Sequence, residues 1–343
     1  MNKMENIMDK NQFGTIITVM GVGGGGINAV NHMYSQGIDG VTFVVSDTDK
    51  HQLYESPVPN RVLLGANTTK GQNSCSDVEV ACRAAIESES EIASLIADNN
   101  TKMLIIVAGL GGGTGTCAAP VVARIAREKE VTLTVGIVTI PFLFEGSDRI
   151  QMAHAGINEM SKYVDALFIV DNQRLTEIYG DFDPSNAFIK ADETLATTVG
   201  SLCNLVSADF KVCFDFNDVY TTLHKGGQAM VFSGYAVGEH RVTKALEDAF
   251  ESPLLKDCDI YCSKKIMLTF LHNPDSGSPV HMEEMNEVQE FMYNFDQDTD
   301  VIWGMAHDKT LKDKLKVIVL ASGFNVSYNS QIPLQENLPS KKD

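Results

Sequence analysis

Residues 103 to 120 read Met-Leu-Ile-Ile-Val-Ala-Gly-Leu-Gly-Gly-Gly-Thr-Gly-Thr-Cys-Ala-Ala-Pro, and their order decides the fold. Met103 to Ala108 is apolar throughout with no polar alternation, the pattern of a strand buried on both faces of a parallel sheet. Where that strand ends the glycines begin. Gly109, Gly111, Gly112, Gly113 and Gly115 admit positive φ and let a ligand approach the backbone without meeting a Cβ. Thr114 and Thr116 add hydroxyls, and Ala118 to Arg127 has the composition of a helix. Loop amides and the positive end of a helix then converge on one point, which is how proteins hold phosphate. A plain strand-to-helix turn needs only one or two glycines, so the stretch predicts a phosphate cradle. It lacks the Gly-Lys-Ser/Thr ending of a P-loop, and its spacing is not that of the dinucleotide fingerprint.

Upstream, Thr15 to Val22 is a β-branched apolar run that feeds Gly21-Val-Gly-Gly-Gly-Gly-Ile-Asn-Ala-Val30 and then a helix to about Gln36. Gly21, Gly23 and Gly26 satisfy Gly-x-Gly-x-x-Gly, and Asp47-Thr48-Asp49 closes the next strand, which starts at Val41. Alone, these features suit a dinucleotide-binding oxidoreductase. The second, richer phosphate loop counts against that reading, because a dinucleotide fold has no use for it. Asp77 to Ala97 has helical spacing with a carboxylate-rich, solvated face. Val131 to Thr139 reads as a buried strand, Arg149 to Tyr163 as a helix and Ala166 to Val170 as a strand. The alternation predicts a parallel sheet with helices on both faces and ligands at the carboxyl ends of its strands. Both glycine loops, Asp47 to Asp49, Glu145 and Asn172 fall at those ends.

Ser185 to Leu205, entered through Asp183-Pro184, is a long helix, after which the character changes. Lys211 to Val219 is short and acidic. Strand-like runs at Gln228–Ala236, Ile266–Leu271, Val301–Ala306 and Leu315–Ser322, with helices at Val242–Phe250 and His281–Asn294, predict a smaller α/β domain. The expected division is a flexible N-terminus at 1–12, a nucleotide-binding domain at 13–180, a central helix at 181–210, a C-terminal domain at 211–324 and a disordered tail at 325–343.

A chain of 343 residues can bury two cores of ordinary size. It has no apolar run long enough to span a membrane and no signal-peptide pattern in Met1 to Lys10, which places it in the cytoplasm with no membrane insertion. The net charge of −18 argues against nucleic acid and anionic membranes as partners, since both need a basic surface. Self-assembly of so acidic a chain would be aided by divalent cations or salt. The seven cysteines include no Cys-x-x-Cys pair, and Cys258 and Cys262 have no ligand partners nearby, so no protein-held metal cluster is expected and the cysteines read as reduced and packed.

Gly111-Gly-Gly-Thr-Gly-Thr116 resembles the signature Gly-Gly-Gly-Thr-Gly-Thr-Gly of the tubulin/FtsZ family, with Cys117 in place of the last glycine. The likeness extends from about Thr15 to Phe324. Gly21 to Val30 is similar to the family's first loop, with Ile27 for one glycine and Asn28 retained. Pro141-Phe-Leu-Phe-Glu-Gly146, Ser252-Pro-Leu-Leu255, the Ile302–Met305 strand and Ala321-Ser-Gly-Phe324 follow in the family's order.

The resemblance implies GTP/GDP as ligand, with Mg2+ at the phosphates. It assigns Gly23, Gly24, Gly25 and Asn28 of the first loop and Gly111, Gly112, Gly113, Thr114, Gly115 and Thr116 of the second to phosphate. It assigns Glu145 and Arg149 to ribose and phosphate, and Asn172, Phe188 and Asp192 to guanine. The chemistry agrees, because guanine presents N1–H and an exocyclic amine side by side and one ionised carboxylate accepts both. Phe188, a helical turn before Asp192, suits stacking on the base and equally a place in the core. Glu145 and Arg149 are also spaced for an i,i+4 ion pair.

By the same resemblance, GTP is hydrolysed between successive subunits of a head-to-tail polymer, with Asp215 and Asp218 of Cys213-Phe-Asp-Phe-Asn-Asp218 orienting the water. A homo-polymer at the division site follows, with a second FtsZ-type chain or other division proteins as further partners. Three departures imply a divergent member or paralogue: Cys213 for an asparagine, Gly71-Gln-Asn-Ser-Cys-Ser-Asp77 for a glycine- and alanine-rich loop, and a short tail. The alternative is a filament or co-filament subunit that binds GTP/GDP with weak or lost catalysis.

Overall fold

The computed structural model describes residues 16–38, 40–74, 77–178, 183–207, 210–212, 215–255, 258–276 and 279–324. The expected flexible N-terminus at 1–12, the tail at 325–343 and Cys213 lie outside the described residues.

The first half alternates as the pattern of buried runs requires. It runs β1 (Ile17–Val22), α1 (Gly23–Ser35), β2 (Val41–Asp47), α2 (Lys50–Glu55), β3 (Asn60–Leu63), α3 (Val78–Glu87), α4 (Glu89–Asp98), β4 (Met103–Gly109), α5 (Gly113–Glu128), β5 (Leu133–Ile140), α6 (Ser147–Met160), β6 (Ala166–Asp171) and α7 (Asn172–Ile178). The long α8 (Pro184–Ser207) leads to β7 (Phe210–Val212), α9 (Phe216–Leu223), β8 (Gly227–Ala236) and α10 (Arg241–Phe250). The chain closes through β9 (Lys265–His272), α11 (Met285–Met292), β10 (Asp300–His307) and β11 (Leu315–Ser322).

The strands form one sheet in the order β3-β2-β1-β4-β5-β6-β8-β11-β9-β10-β7. From β3 to β6 every pairing is parallel. In β4, Met103, Ile105 and Val107 face a core shared with α1 and α8, while Leu104, Ile106 and Ala108 face a core under α3 to α6. This two-sided burial is the reason the run carries no polar alternation. The β8, β11 and β9 strands pair antiparallel, and α10 covers them with Val242, Ala245, Leu246 and Ala249. The two halves meet where β6 pairs with β8 over Ala166–Phe168. Met267, Ile318 and Leu320 of the second half join the core of the first. Among the described residues no helix is long and apolar enough to cross a membrane.

Several expectations are corrected. Both glycine stretches are largely helical: α1 starts at Gly23 and α5 at Gly113, and β4 runs to Gly109, so the second loop proper is only Leu110 to Gly112. The helix expected over 77–97 is two helices, broken at Ser88, whose hydroxyl accepts the Gly65 amide at 2.9 Å. The acidic stretch after Lys211 is a cap and helix, with Asp215 as the N-cap of α9. Finally, the cysteines are not all packed separately: Cys82 and Cys117 stand together as a disulfide pair with their Cα atoms 5.2 Å apart. The pairing follows from α3 lying across the first turns of α5, a contact that spacing along the chain does not reveal.

Candidate functional site

Four neighbouring strands deliver the site. β1, β2, β4 and β5 end in register, and the loops that follow them meet at one edge of the sheet. The N-termini of α1 and α5 start there, within one residue of β1 and four of β4. A Cβ on Gly26 would run into the Val107 carbonyl, one on Gly115 into the Gly109 carbonyl, and one on Gly23 would stand 2.9 Å from the Gly115 amide nitrogen. These glycines let the two helix starts interlock. Gly112 differs: no atom of the described residues lies within 4 Å of the position its Cβ would take. It holds an extended N-cap conformation (φ −99°, ψ 178°) with no side-chain cap on the helix. The first amides of α5 are thus presented over open space, and an anion is the chemical partner for such donors.

A buried carboxylate lies behind them. The Thr48 amide donates to Asp47 Oδ1 at 2.6 Å and the Thr114 hydroxyl donates to the same oxygen at 3.3 Å. The Ser74 hydroxyl lies 3.2 Å and the Thr48 hydroxyl 3.4 Å from Thr114 Oγ1. Burial pushes the Asp47 carboxyl up from its ordinary value, while the Asp49 and Thr48 amides and the two hydroxyls hold it down. Asp47, Thr48 and Ser74 were not among the assigned ligands. The position of Asp47 at the end of the second strand was the one signal that could have included it. Thr116 is committed in part to the loop itself, accepting the Gly111 amide at 2.9 Å.

The base end is built from side chains. Asn172, the first residue of α7, is 5% exposed, and its Oδ1 has no hydrogen-bond partner among the described residues. Phe188 is 42% exposed and is no core residue. Its ring meets Phe142 edge-on at 5.1 Å and Phe144 at 6.3 Å. Asp192, a turn further along α8, is half-buried, and burial pushes its carboxyl up to about 7. Glu145 accepts the Phe142 amide at 3.0 Å and pairs with Arg149 at 3.0 Å, so the i,i+4 bridge is formed.

Asp215 and Asp218 belong elsewhere. They cap α9 reciprocally: Asp215 Oδ1 accepts the Asn217 amide at 2.7 Å, and Asp218 Oδ2 accepts the Asp215 amide at 2.8 Å. His224, which closes α9, brings Nδ1 to 2.8 Å from Oδ1 of Asp165, the residue before β6. α9 is therefore tied to the amino edge of the parallel sheet, the edge opposite the glycine loops. From Asp192 to the end of α8 the chain runs about 22 Å at helical rise.

Comparison with known sequences and structures finds relatives along most of the chain. The Tubulin/FtsZ family, GTPase domain, matches residues 16–180, and the FtsZ family, C-terminal domain, matches 227–325. The cell division protein FtsZ of Porphyromonas gingivalis is 42% identical over 324 residues, covering 94% of this chain and 70% of that protein. That of Bartonella bacilliformis is 41% identical over 310 residues, 90% of this chain, and the chain spans about half of it, 51%. The solved FtsZ dimer of M. jannaschii superimposes with a TM-score of 0.81 at 33% identity, over 92% of this chain and 90% of that one.

Proposed function

The chain belongs to the tubulin/FtsZ family, and from that premise we propose that it is a GTP-binding, self-polymerising protein of bacterial cell division that hydrolyses GTP at the contact between successive subunits. Residues 13–180 bind the nucleotide, the helix over 181–210 connects, and 211–324 supply the catalytic face. Gly23 to Gly25, Asn28 and Gly111 to Thr116 hold the phosphates, Glu145 and Arg149 the ribose side, and Asn172, Phe188 and Asp192 the guanine.

The open space at Gly112 and the unpaired Asn172 Oδ1 suit a nucleotide spanning the two. When bound, Mg2+ supplies charge neutralisation at the phosphates. The hard oxygens of Asp47, Thr48 and Thr114 are the donors such an ion takes.

The observation that carries the reading is the separation of Asp215 and Asp218 from the glycine loops. Carboxylates tied to the amino edge of a sheet reach phosphates at its carboxyl edge only from another molecule, stacked head to tail. Such a contact does not close and yields filaments. GTP hydrolysis measured against protein concentration with Mg2+, with sedimentation alongside, tests it. Turnover should switch on above a threshold concentration together with pelleting. Activity per molecule that stays constant down to high dilution would defeat the reading.

Cys213 favours a second reading, a filament subunit that binds nucleotide with weak catalysis, since it removes an amide from the loop that resembles the family's catalytic one. Pelleting with GTP and no phosphate release supports it, and Cys213→Asn should then raise turnover.

A further inference from the structure

We propose that Cys82 and Cys117 are a reversible thiol pair that sets how fast nucleotide leaves the site. The inference rests on the reading of the 109–116 loop as the phosphate cradle. Cys117 occupies the position that closes the glycine signature, three residues after Thr114 in α5. Cys82 lies in α3, five residues after Asp77, whose carboxylate accepts the Val80 amide at 3.0 Å and caps that helix. The two Cα atoms are 5.2 Å apart, inside the range a disulfide bridges without backbone movement.

Both residues are half-buried, and a surface groove lined by Val78, Pro120, Val121 and Tyr163 opens onto them. A small disulfide can therefore reach either sulfur. Disulfides of chains in reducing compartments are mostly transient or regulatory.

The linkage to the site is short. Ser74, which precedes α3, touches Thr114 at 3.2 Å, and Thr114 donates to Asp47 at 3.3 Å. A closed Cys82–Cys117 bond ties α3 to α5 beside the Ser74–Thr114 contact, so the start of α5 loses freedom to move away from a bound phosphate. The chemistry balances with a low-molecular-weight disulfide as oxidant. One cysteine thiolate attacks it, forming a mixed disulfide and releasing one thiolate. The other cysteine then displaces the second, giving the protein disulfide and two small thiols, and a dithiol reverses the exchange.

The test uses the full chain equilibrated with oxidised glutathione or with dithiothreitol. Peptide mass mapping identifies the bond, and release of a fluorescent methylanthraniloyl-GDP is followed after a chase with unlabelled GDP. The oxidised chain should carry the Cys82–Cys117 bond and release nucleotide about fivefold more slowly than the reduced chain. Cys82→Ala should release at the reduced rate under both treatments, and Cys82→Ser serves if the alanine variant folds poorly. Equal release with the bond mapped overturns the proposal. So does a map with Cys75 or another cysteine in place of Cys82 or Cys117. Failure of both forms to bind guanine nucleotide at all sinks the phosphate-cradle reading, and the proposal with it.

Discussion

The phosphate end and the base end of the candidate site are built from different materials. The phosphate end is backbone: helix starts at Gly23 and Gly113, locked by glycines that leave no room for a Cβ, around a carboxylate whose hydrogen bonds are already made. The base end is side chains: a carboxylate at Asp192 raised by burial, an amide oxygen at Asn172 without a partner, and a ring at Phe188 that is 42% exposed. The frame of the first is set before any ligand arrives, and the second awaits partners for its side chains. The contrast teaches that changes to the interlocked glycines should be felt as stability, changes where the phosphate end faces open space as affinity, and changes at the base end as nucleotide choice.

Gly26→Ala should have the largest effect. The new Cβ meets the Val107 carbonyl, main chain on main chain inside the core, so nothing can rotate away. A destabilisation of more than about 4 kcal/mol is expected, read as loss of a cooperative thermal transition by circular dichroism. A variant that melts like the parent would break the claim that this end is a rigid frame.

Asp192→Asn should not lower the melting temperature near neutral pH, because it removes a carboxylate that burial disfavours, and should weaken GTP binding by the worth of a charge-assisted bond, about 1.5–3 kcal/mol. Titration of GTP against ITP, which lacks the exocyclic amine, sharpens the point. The parent should prefer GTP, and the variant should lose much of that preference. Equal losses for both nucleotides would remove Asp192 from base recognition.

Gly112→Ala adds the same methyl as Gly26→Ala but into open space and at an allowed φ of −99°. Its thermal transition should match the parent's within error, while affinity for GDP falls about tenfold, near 1.4 kcal/mol. The pair of alanine variants is the direct measure of which glycines serve the fold and which serve the ligand.

The smallest effect is one of pH. With Asp192 raised to about 7, the free chain is about half protonated there at neutral pH, and the proposed guanine contact uses the ionised form. Affinity for GTP should fall about tenfold from pH 8 to pH 6 in the parent and stay flat in Asp192→Asn. The stability contribution has the opposite sign: a carboxyl raised above its ordinary 3.8 favours the folded chain at low pH, and that support is lost as pH rises through about 7. Isothermal titration across that range checks the first statement, and melting of the free chain checks the second.

Much of the fold was legible. Apolar runs at 17–22, 41–47, 103–109 and 133–140 have no reason to exist except as strands covered on both sides, and the glycines at their ends marked the ligand edge. The short β3 and α2 passed unnoticed, because four and six residues carry too little periodicity to register. Asp47 was visible as a strand-end carboxylate. Its hydrogen bond from Thr114 spans 67 positions and could be seen only once the strands were laid side by side. The split at Ser88 has the same origin, a hydroxyl claimed by the Gly65 amide of a distant loop.

By itself, then, the sequence determined what is local or repeated: the long buried strands and the long helices, and which family signature the glycine stretch resembles. Backbone conformation and burial depend on short-range pattern, and pattern is written in order along the chain. Tertiary structure alone decided what joins to what. It placed Asp215 and Asp218 on the edge of the parallel sheet opposite the glycines, set Ser74 and Asp47 around Thr114, and brought Cys82 to Cys117. Each of these is a meeting of side chains from separate elements, fixed by sheet order and helix packing, and the spacing of residues along a chain does not record it.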